Sequence, residues 1–286
     1  MNLCSFGAVS RRDFLRAGTG SAAAFFLTGL KPVGAGEPPA RKRIPIGLQL
    51  YSVRGDCGKN LAATIEAVGK MGYEAVEFAG YHGKTAQELK KLLDDNGLKC
   101  CGTHTGLDTL RGDNLKRTVE FHQALGNKFL IVPGMGNKTR GDWENAAKEF
   151  SDIAAKVAGD GMRVGYHAHG GDFRALDGST PWDIFYSAAD PKVVMQLDIG
   201  NCMSGGGDPV AVLKKFPGRA TTIHMKEHGG NTGLIGEGQA KWDEILALCE
   251  AGGTEWYIVE QEQYGGGTPL ECCRRSLENL KKMIRV

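Results

Sequence analysis

The stretch Lys192-Val-Val-Met-Gln-Leu-Asp198-Ile-Gly-Asn201 decides the fold of this chain. Its apolar, β-branched residues predict a fully buried strand of a parallel sheet, which ends at Asp198 in a loop containing Gly200 and Asn201. An ionisable side chain therefore stands where the strand ends. Because the carboxyl ends of parallel strands meet at one edge of a sheet, Asp198 is a candidate site residue.

Three other apolar runs end in the same way, with histidine, lysine or carboxylate side chains. These are Arg163–His169 with His167 and His169, Ala220–Glu227 with His224 and Lys226, and Tyr257–Glu262 with Glu260 and Glu262. Four buried strands that each offer a metal-binding side chain at the same end are typical of a site at the top of a parallel barrel.

Predicted strands and helices alternate strictly from Ile44 onward. Apolar residues at helical spacing over Leu61–Met71 predict one connecting helix, and Thr85 with Glu88 predicts a capping box at the start of the next. Eight such pairs predict an α/β fold, the (β/α)8 TIM barrel, rather than an open sheet. The length of 286 residues and the hydrophobic content of 41% suit one large core, so we expect a single catalytic domain over residues 44–286.

The N-terminal segment has the features of a twin-arginine export signal. Arg11 and Arg12 precede an apolar run over Ala17–Leu30, and the small residues Val33-Gly34-Ala35 offer a cleavage point. The run is shorter than the roughly 20 residues of a membrane span. We predict a signal over residues 1–35, a linker over 36–43, and an exported, periplasmic or extracytoplasmic protein. The alternatives are an uncleaved anchor and a chance basic helix.

Composition argues against several partners and cofactors. The formal net charge is only +2 and no basic block occurs, so nucleic acid is not expected. No glycine-rich dinucleotide or P-loop motif is present, which leaves nicotinamide and nucleotide cofactors without support. The cysteines include two adjacent pairs and no CxxC, which predicts buried small side chains rather than disulfides or a zinc knuckle. We expect no stable membrane span. The composition does not decide whether the protein forms a homo-oligomer.

Asp198, His224 and Glu260 are the residue types that bind a divalent cation such as Mn, Mg, Co or Zn. Such a cation would polarise a carbonyl or stabilise an enediolate while a neighbouring base removes an adjacent carbon-bound proton. That chemistry covers aldose-ketose isomerisation, epimerisation and β-elimination. Taken singly, Asp198 could be a helix N-cap and His224 a hydrogen-bonded core histidine. Their occurrence on adjacent strands favours metal binding.

A set of short motifs follows in order from about Ile44 to the C-terminus. The motifs are Gly47–Arg54, Val76–Tyr81, Gly102–Gly106, Gly165–His169, Gln196–Asn201, His224–Glu227, Gly236–Gly238 and Tyr257–Glu262. Together they resemble the xylose-isomerase-like sugar phosphate isomerase/epimerase family. The resemblance implies the TIM barrel, a divalent metal and a small carbohydrate substrate. It does not select the substrate, because the family also contains inosose dehydratases and 3-keto-glycoside lyases or hydratases.

The resemblance implies that Asp198, His224 and Glu260 are the metal ligands from strands six, seven and eight. Two candidates exist for the strand-five ligand. Many members have a glutamate where this chain has His167, and relatives with a histidine pair follow it with Asp-Phe-Glu-Phe, whose glutamate is replaced here by Asp172. Either His167 binds the metal directly or Asp172 reaches in, with a weakened or displaced metal as a third alternative. We favour His167.

Lys226 matches the lysine of the family's His-x-Lys-Asp motif, whose last residue is Glu227 here. A lysine beside a metal can have a lowered pKa and act as acid or base, or hold an oxyanion; its alternative role is a salt bridge to Glu262 or Glu260. Because side chains two apart on a strand face the same side, Glu260 could bind the metal while Glu262 moves the proton.

Three further side chains are candidates for proton transfer or substrate contact. His104 and His169 could bind substrate hydroxyls or move a proton, or form structural hydrogen bonds. Glu77 could be a second acid or base, or simply pair with Arg54. Four aromatic residues could form a wall for a sugar ring, although core packing is the alternative for each: Tyr51, Phe78, Tyr81 and Trp256.

The leading hypothesis is a metal-dependent isomerase or epimerase of a sugar or sugar derivative, working by proton abstraction next to a metal-bound carbonyl. The alternative is a lyase or hydratase acting on 3-keto sugars or glycosides with the same metal site. Export favours this alternative, because phosphorylated sugars are scarce outside the cytoplasm. A non-catalytic exported sugar-binding protein is the third hypothesis, consistent with Asp172 in place of glutamate.

The double substitution of Arg11 and Arg12 by lysine tests the predicted signal. The export receptor recognises the two arginines themselves, so lysines of the same charge should not support export. We expect the variant to stay in the cytoplasm, measured by fractionation and immunoblotting of the extracytoplasmic compartment. Export of the double variant at the wild-type level would refute the twin-arginine interpretation.

Overall fold

Eight parallel strands, paired in the order of the sequence, close into a barrel. The computed structural model describes residues 43–265 and 267–284. The predicted (β/α)8 fold is therefore confirmed. The strands are β1 Ile46–Gln49, β2 Ala75–Phe78, β3 Lys99–His104, β4 Phe129–Val132, β5 Arg163–His167, β6 Val194–Asp198, β7 Thr222–Met225 and β8 Trp256–Val259.

Helices connect the strands and cover the outside of the barrel. Among the described residues, none of them has both the length and the apolar character needed to cross a membrane. The predicted signal and nearly all of the predicted linker lie outside the described residues. The helices are α1 Arg54–Met71, α2 Ala86–Asp95, α3 Asn114–Leu125, α4 Arg140–Val157, α5 Pro181–Ala188, α6 Ile199–Ser204, α7 Pro209–Lys215, α8 Trp242–Gly252 and α9 Pro269–Met283.

Side-chain caps fix where several helices begin. The predicted capping box of α2 is present: Glu88 accepts a hydrogen bond from the Thr85 backbone N–H at 2.8 Å, and the Glu88 N–H donates back to Thr85 Oγ1 at 3.2 Å. Thr139 caps α4 and Thr268 caps α9 in the same way. Each cap satisfies N–H groups that the first helical turn would leave without a partner.

Two helices differ from the sequence-based expectation. The expected loop after Asp198 is the short helix α6, because Asp198 Oδ1 accepts a hydrogen bond from the Asn201 N–H at 2.7 Å and caps it. Helix α1 begins at Arg54 instead of Leu61. Its first part contains two glycines and has a break at Asn60, where φ is −160°. This part therefore lacks the apolar periodicity from which a helix is predicted.

The interior of the barrel is filled at the amino end by two small apolar clusters. One joins Phe129, Ile131 and Val194, and the other joins Ala75, Cys101 and Ile258; Trp256 packs against both. The predicted burial of cysteines is also confirmed. All seven cysteines in the described residues are free, and only Cys100 is not fully buried. Polar side chains begin above these clusters, towards the carboxyl ends of the strands.

The buried carboxylate of Glu227 organises the loop between β7 and α8. It lies directly after Lys226 and is 8% exposed. Its two oxygens accept four hydrogen bonds, from the N–H groups of His228 at 2.9 Å, Gly236 at 2.7 Å and Ala240 at 3.1 Å, and from Trp242 Nε1 at 2.7 Å. One side chain therefore holds both ends of this loop beside the top of the barrel.

Replacement of Glu227 by alanine should destabilise the protein. Several buried N–H donors would lose their acceptor, and we expect the free energy of unfolding to fall by about 3 kcal/mol. Chemical denaturation followed by circular dichroism measures this. The matched control is Asp152→Ala, which removes an exposed carboxylate from α4 and should change stability by less than about 0.5 kcal/mol. Equal stability of the two variants would contradict the role of Glu227.

Candidate metal centre

Four buried side chains from four consecutive strands come together at the carboxyl end of the barrel. They are His167 at the end of β5, Asp198 at the end of β6, His224 in β7 and Glu260 directly after β8, and one potential ligand atom from each lies within 4.8 Å of the others. The register of the sheet supports this arrangement, because Asp198 pairs directly with His224. We call this set the ligand cluster.

The environment of the Asp198 carboxylate indicates whether a cation would fit the ligand cluster. Its Oδ1 caps α6, but its Oδ2 is buried without a hydrogen-bond partner in the described residues. Burial raises the pKa of Asp198 to about 7, although nearby Lys226 opposes the shift. A buried carboxylate oxygen without a donor is costly, and a divalent cation would satisfy it. The orphaned oxygen and the mixture of carboxylate and imidazole donors therefore fit a divalent metal.

His224 is held between two carboxylates. Its Nδ1 lies 2.7 Å from Glu260 Oε2, and its Nε2 lies 2.6 Å from Glu77 Oε2. Burial alone would lower the pKa of His224, but Glu77 and Glu260 more than offset it and raise the pKa to about 10. Both ring nitrogens then donate hydrogen bonds. A cation that binds at Nδ1 must displace a proton, while Glu77 keeps hold of the Nε2–H.

Gln196 lies below the ligand cluster and fixes two histidine rings. Its Oε1 is 3.1 Å from both His167 Nδ1 and His104 Nε2, while its Nε2 donates to Glu77 Oε1 at 2.8 Å. Because an amide oxygen only accepts hydrogen bonds, His167 carries its proton on Nδ1. Nε2 of His167 is thereby left free to bind a metal.

Glu77 lies deep in the barrel among polar side chains that hydrogen-bond to it. It is fully buried, and Gln49 Nε2 donates to its Oε2 at 2.7 Å. Burial would raise the pKa of Glu77, but His104 and His224 hold the pKa well below its usual range. Arg54 is not its partner, because Arg54 instead donates to the Tyr51 carbonyl. Glu77 acts here as an acceptor for the rings above it.

Gly102 in β3 provides the space for that carboxylate. A Cβ atom at position 102 would lie 2.4 Å from Glu77 Oε1. Any side chain here would therefore displace Glu77 Oε1, the oxygen that accepts a hydrogen bond from Gln196. The glycine is required by close packing rather than by its backbone conformation.

Lys226 connects the ligand cluster to the more exposed Glu262. Its Nζ donates to Glu260 Oε1 at 3.2 Å and to Asn201 Oδ1 at 3.1 Å, and it also contacts Glu262. Burial would lower the pKa of Lys226, but Asp198 and Glu260 raise it above its usual value. This direction is the opposite of the lowered pKa considered from the sequence for a lysine beside a bound metal. Lys226 carries a positive charge and forms the salt bridges given as its alternative role.

His104 belongs with the cluster, whereas Asp172 does not. The ring of His104 stacks on His224 with centroids 5.6 Å apart. Asp172 is turned towards Tyr166 and accepts its hydroxyl at 3.1 Å and the His169 backbone N–H at 2.8 Å. Burial raises the pKa of Asp172 to about 6. His169 is exposed at the rim, with its ring centroid 4.9 Å from that of His167.

The predicted aromatic wall is only partly assembled. Tyr51 is 43% exposed near the top of the barrel, and Tyr81 is partly buried, so both remain candidates for sugar contact. Phe78 is fully buried in the core. Trp256 is at the start of β8, at the opposite end of the barrel, where it packs against the two small apolar clusters, so the alternative of core packing holds for it.

Sequence reasoning missed three polar residues of the site: Gln49, Gln196 and Asn201. The first two were visible as single amides inside otherwise apolar strands, and both are fully buried. Gln196 is two residues before Asp198, so the alternation of a strand places both side chains on the inner face. This spacing was the signal that could have identified it.

Known proteins resemble this chain over most of its length. The rhizopine catabolism protein MocC of Rhizobium meliloti is 24% identical over 255 residues, which cover 74% of this chain and 78% of that protein. An inosose dehydratase of Clostridium botulinum (strain Alaska E43 / Type E3) is 22% identical over 278 residues, covering 81% and 93% of the two chains.

Solved structures share the fold. A sugar phosphate isomerase/epimerase from Parabacteroides distasonis superposes with a TM-score of 0.73 at 27% identity, covering 84% of this chain and 98% of that one. A D-allulose 3-epimerase from Methylomonas sp. has a TM-score of 0.64 at 14% identity over 84% and 98% of the chains. Residues 65–283 match the family model described as xylose isomerase-like TIM barrel. This chain belongs to that family.

Proposed function

We propose that this protein is a metal-dependent enzyme that removes a proton next to a carbonyl group of a sugar or sugar derivative, with isomerisation or epimerisation as the result. The observation that carries the proposal is the ligand cluster of His167, Asp198, His224 and Glu260, whose buried Asp198 Oδ2 has no hydrogen-bond partner in the described residues. The names of the similar proteins, which include sugar epimerases and inosose dehydratases, support the substrate class.

His167, Asp198, His224 and Glu260 would hold the cation. When bound, a divalent cation supplies Lewis acidity, which polarises a carbonyl oxygen and stabilises the negative charge that develops on it. Gln196 and Glu77 act as positioning residues, because they hold the ring protons of His167 and His224 on the nitrogens that face away from the cluster.

Glu262 is the preferred proton acceptor. Its side chain is 35% exposed, so substrate can reach it, and it contacts the charged Lys226. The lysine is also 3.8 Å from Asp198 Oδ2, which places positive charge between the base and the cluster. Lys226 would position the Glu262 carboxylate and neutralise charge on a substrate oxygen. His169, at the rim beside His167, is the second candidate for moving the proton.

Dehydration is the second candidate reaction, favoured by the inosose dehydratases among the similar proteins. It begins with the same proton removal, after which a hydroxyl on the next carbon leaves as water. His104 is suitably located to assist departure, because it lies beside His224 and also lines a cavity of about 390 Å³ together with Tyr81 and Phe121. That cavity could receive the part of the substrate beyond the reacting carbons.

Loss of Asp198 should abolish metal binding. We expect Asp198→Ala to lose its metal stoichiometry, because one anionic ligand is removed, while circular dichroism shows a folded protein. The matched control is Asp208→Ala, which removes the equivalent N-cap of α7 and should retain the metal. Elemental analysis after dialysis measures both, and a full metal content in Asp198→Ala would refute the site. His167→Ala should lose metal in the same assay, whereas Asp172→Ala should retain it.

Glu262→Gln should retain metal and substrate binding but lose turnover by about 10²- to 10⁴-fold, the usual effect of losing a general base. The assay follows deuterium uptake from solvent with a panel of free and 3-keto sugars, using Glu237→Gln as the control for an exposed, ion-paired carboxylate. Product mass then distinguishes isomerisation from loss of water.

Normal turnover of Glu262→Gln, with a loss in His169→Ala or Lys226→Ala, would assign the base to one of those residues instead. Proton exchange at the wild-type rate in all three variants would eliminate the proton-transfer mechanism. Absence of exchange by the metal-loaded wild-type protein with every sugar in the panel would favour the non-catalytic binding protein.

A further inference from the structure

A cavity at the amino ends of β5, β6 and β7 carries an excess of basic side chains. It has a volume of about 390 Å³ and lies at the end of the barrel opposite the ligand cluster. Arg163, Lys192 and Arg219 line it, and among the described residues that line it none is acidic. The site proposed for catalysis uses none of these residues.

Two of the lining side chains have buried polar atoms without a partner. Arg219 Nε and Thr221 Oγ1 make no hydrogen bond to any described residue. The other guanidinium nitrogens of Arg219 donate to the carbonyls of Tyr186 at 2.6 Å and Asp190 at 2.8 Å, which fixes the group beside the end of α5. Buried donors are rarely left unsatisfied in native proteins. The fixed guanidinium of Arg219 and the neighbouring hydroxyl of Thr221 therefore offer hydrogen-bond donors at fixed positions.

Two carboxylates, Asp190 and Glu255, lie near the basic side chains of this cavity. Asp190 Oδ1 accepts a hydrogen bond from the backbone N–H of Lys192 at 2.7 Å. Glu255 binds Arg163 at 2.5 Å, but it is shared with Lys128 at 2.9 Å. Lys192 is exposed, and no side-chain ion pair is found for it within the described residues. Arg163 is therefore held in place, while Lys192 is available to a ligand.

We propose that this cavity binds a small oxyanion of the phosphate or phosphomonoester class. Such a group presents several acceptor oxygens, which match the free donors of Arg219 and Thr221 and the ammonium of Lys192, and arginine is well suited to this geometry. A ligand here would link the amino ends of three strands to the end of α5. Because it would bind the folded state, it would also raise the stability of the barrel.

Isothermal titration of the full chain with inorganic phosphate, at constant ionic strength, tests the proposal. We expect saturable binding of one phosphate to the wild-type protein. Thr221→Val and Lys192→Gln should each weaken binding by about tenfold, the effect of losing one charge-assisted or buried hydrogen bond. Neither side chain makes a hydrogen bond to another described side chain, so both variants should fold. The matched control is Lys214→Gln, which removes an exposed lysine from α7 and should bind phosphate normally.

Parallel titrations with glycerol phosphate separate the two sources of the anion. The site is supported if the wild-type protein binds either ligand and if Thr221→Val and Lys192→Gln weaken that binding. The ligand that binds more tightly is then the form of the anion that the site prefers. The proposal is overturned if neither ligand binds saturably, if these two variants bind as tightly as wild type, or if Lys214→Gln is weakened equally. None of these failures bears on the proposed catalytic function, which concerns the other end of the barrel.

Discussion

The structure of the site depends on how the barrel tolerates buried charge. Glu77 and Glu260 are taken out of water, and each is compensated by His224, which lies between them at 2.6 and 2.7 Å. Removal of one member of such a buried set leaves the others uncompensated, which is far more costly than loss of an exposed ion pair. The remaining polar groups supply the hydrogen bonds that the buried carboxylates require. Gln49 and Gln196 supply the donors that Glu77 still lacks.

The fold and the ligand cluster could be predicted because their signals are local. The interior of a buried strand in a parallel barrel is mostly apolar, so an ionisable residue at the end of an apolar run indicates the carboxyl edge, as it does at Asp198 and His224. Alternation along the strand then predicts which side chains point inward. Helix α6 and the first part of α1, which were not predicted, lack such a pattern. Helix α6 is initiated by one cap, and α1 begins in a glycine-containing segment that carries no apolar stripe.

The electrostatics of the site could not be predicted from the sequence, because they depend on distances between remote residues. Glu77 meets His224 across 147 positions of sequence, and this contact makes its carboxylate an acceptor for the histidine ring. The raised pKa of Lys226 likewise arises from carboxylates on two other strands. The orientation of the Asp172 side chain away from the cluster follows from its contact with the Tyr166 hydroxyl, which its sequence motif does not reveal.

The glycine at position 102 has a consequence for how this sequence can change over time. A Cβ there would overlap the carboxylate of Glu77, so a side chain at this position of β3 requires the acidic residue of β2 to move or to be replaced. Loss of that residue would in turn release the Nε2–H of His224. The two positions are therefore expected to covary among related chains. The presence of glycine at this position, which contacts neither metal nor substrate, would then identify the related chains that retain the contact between the acidic residue and the histidine.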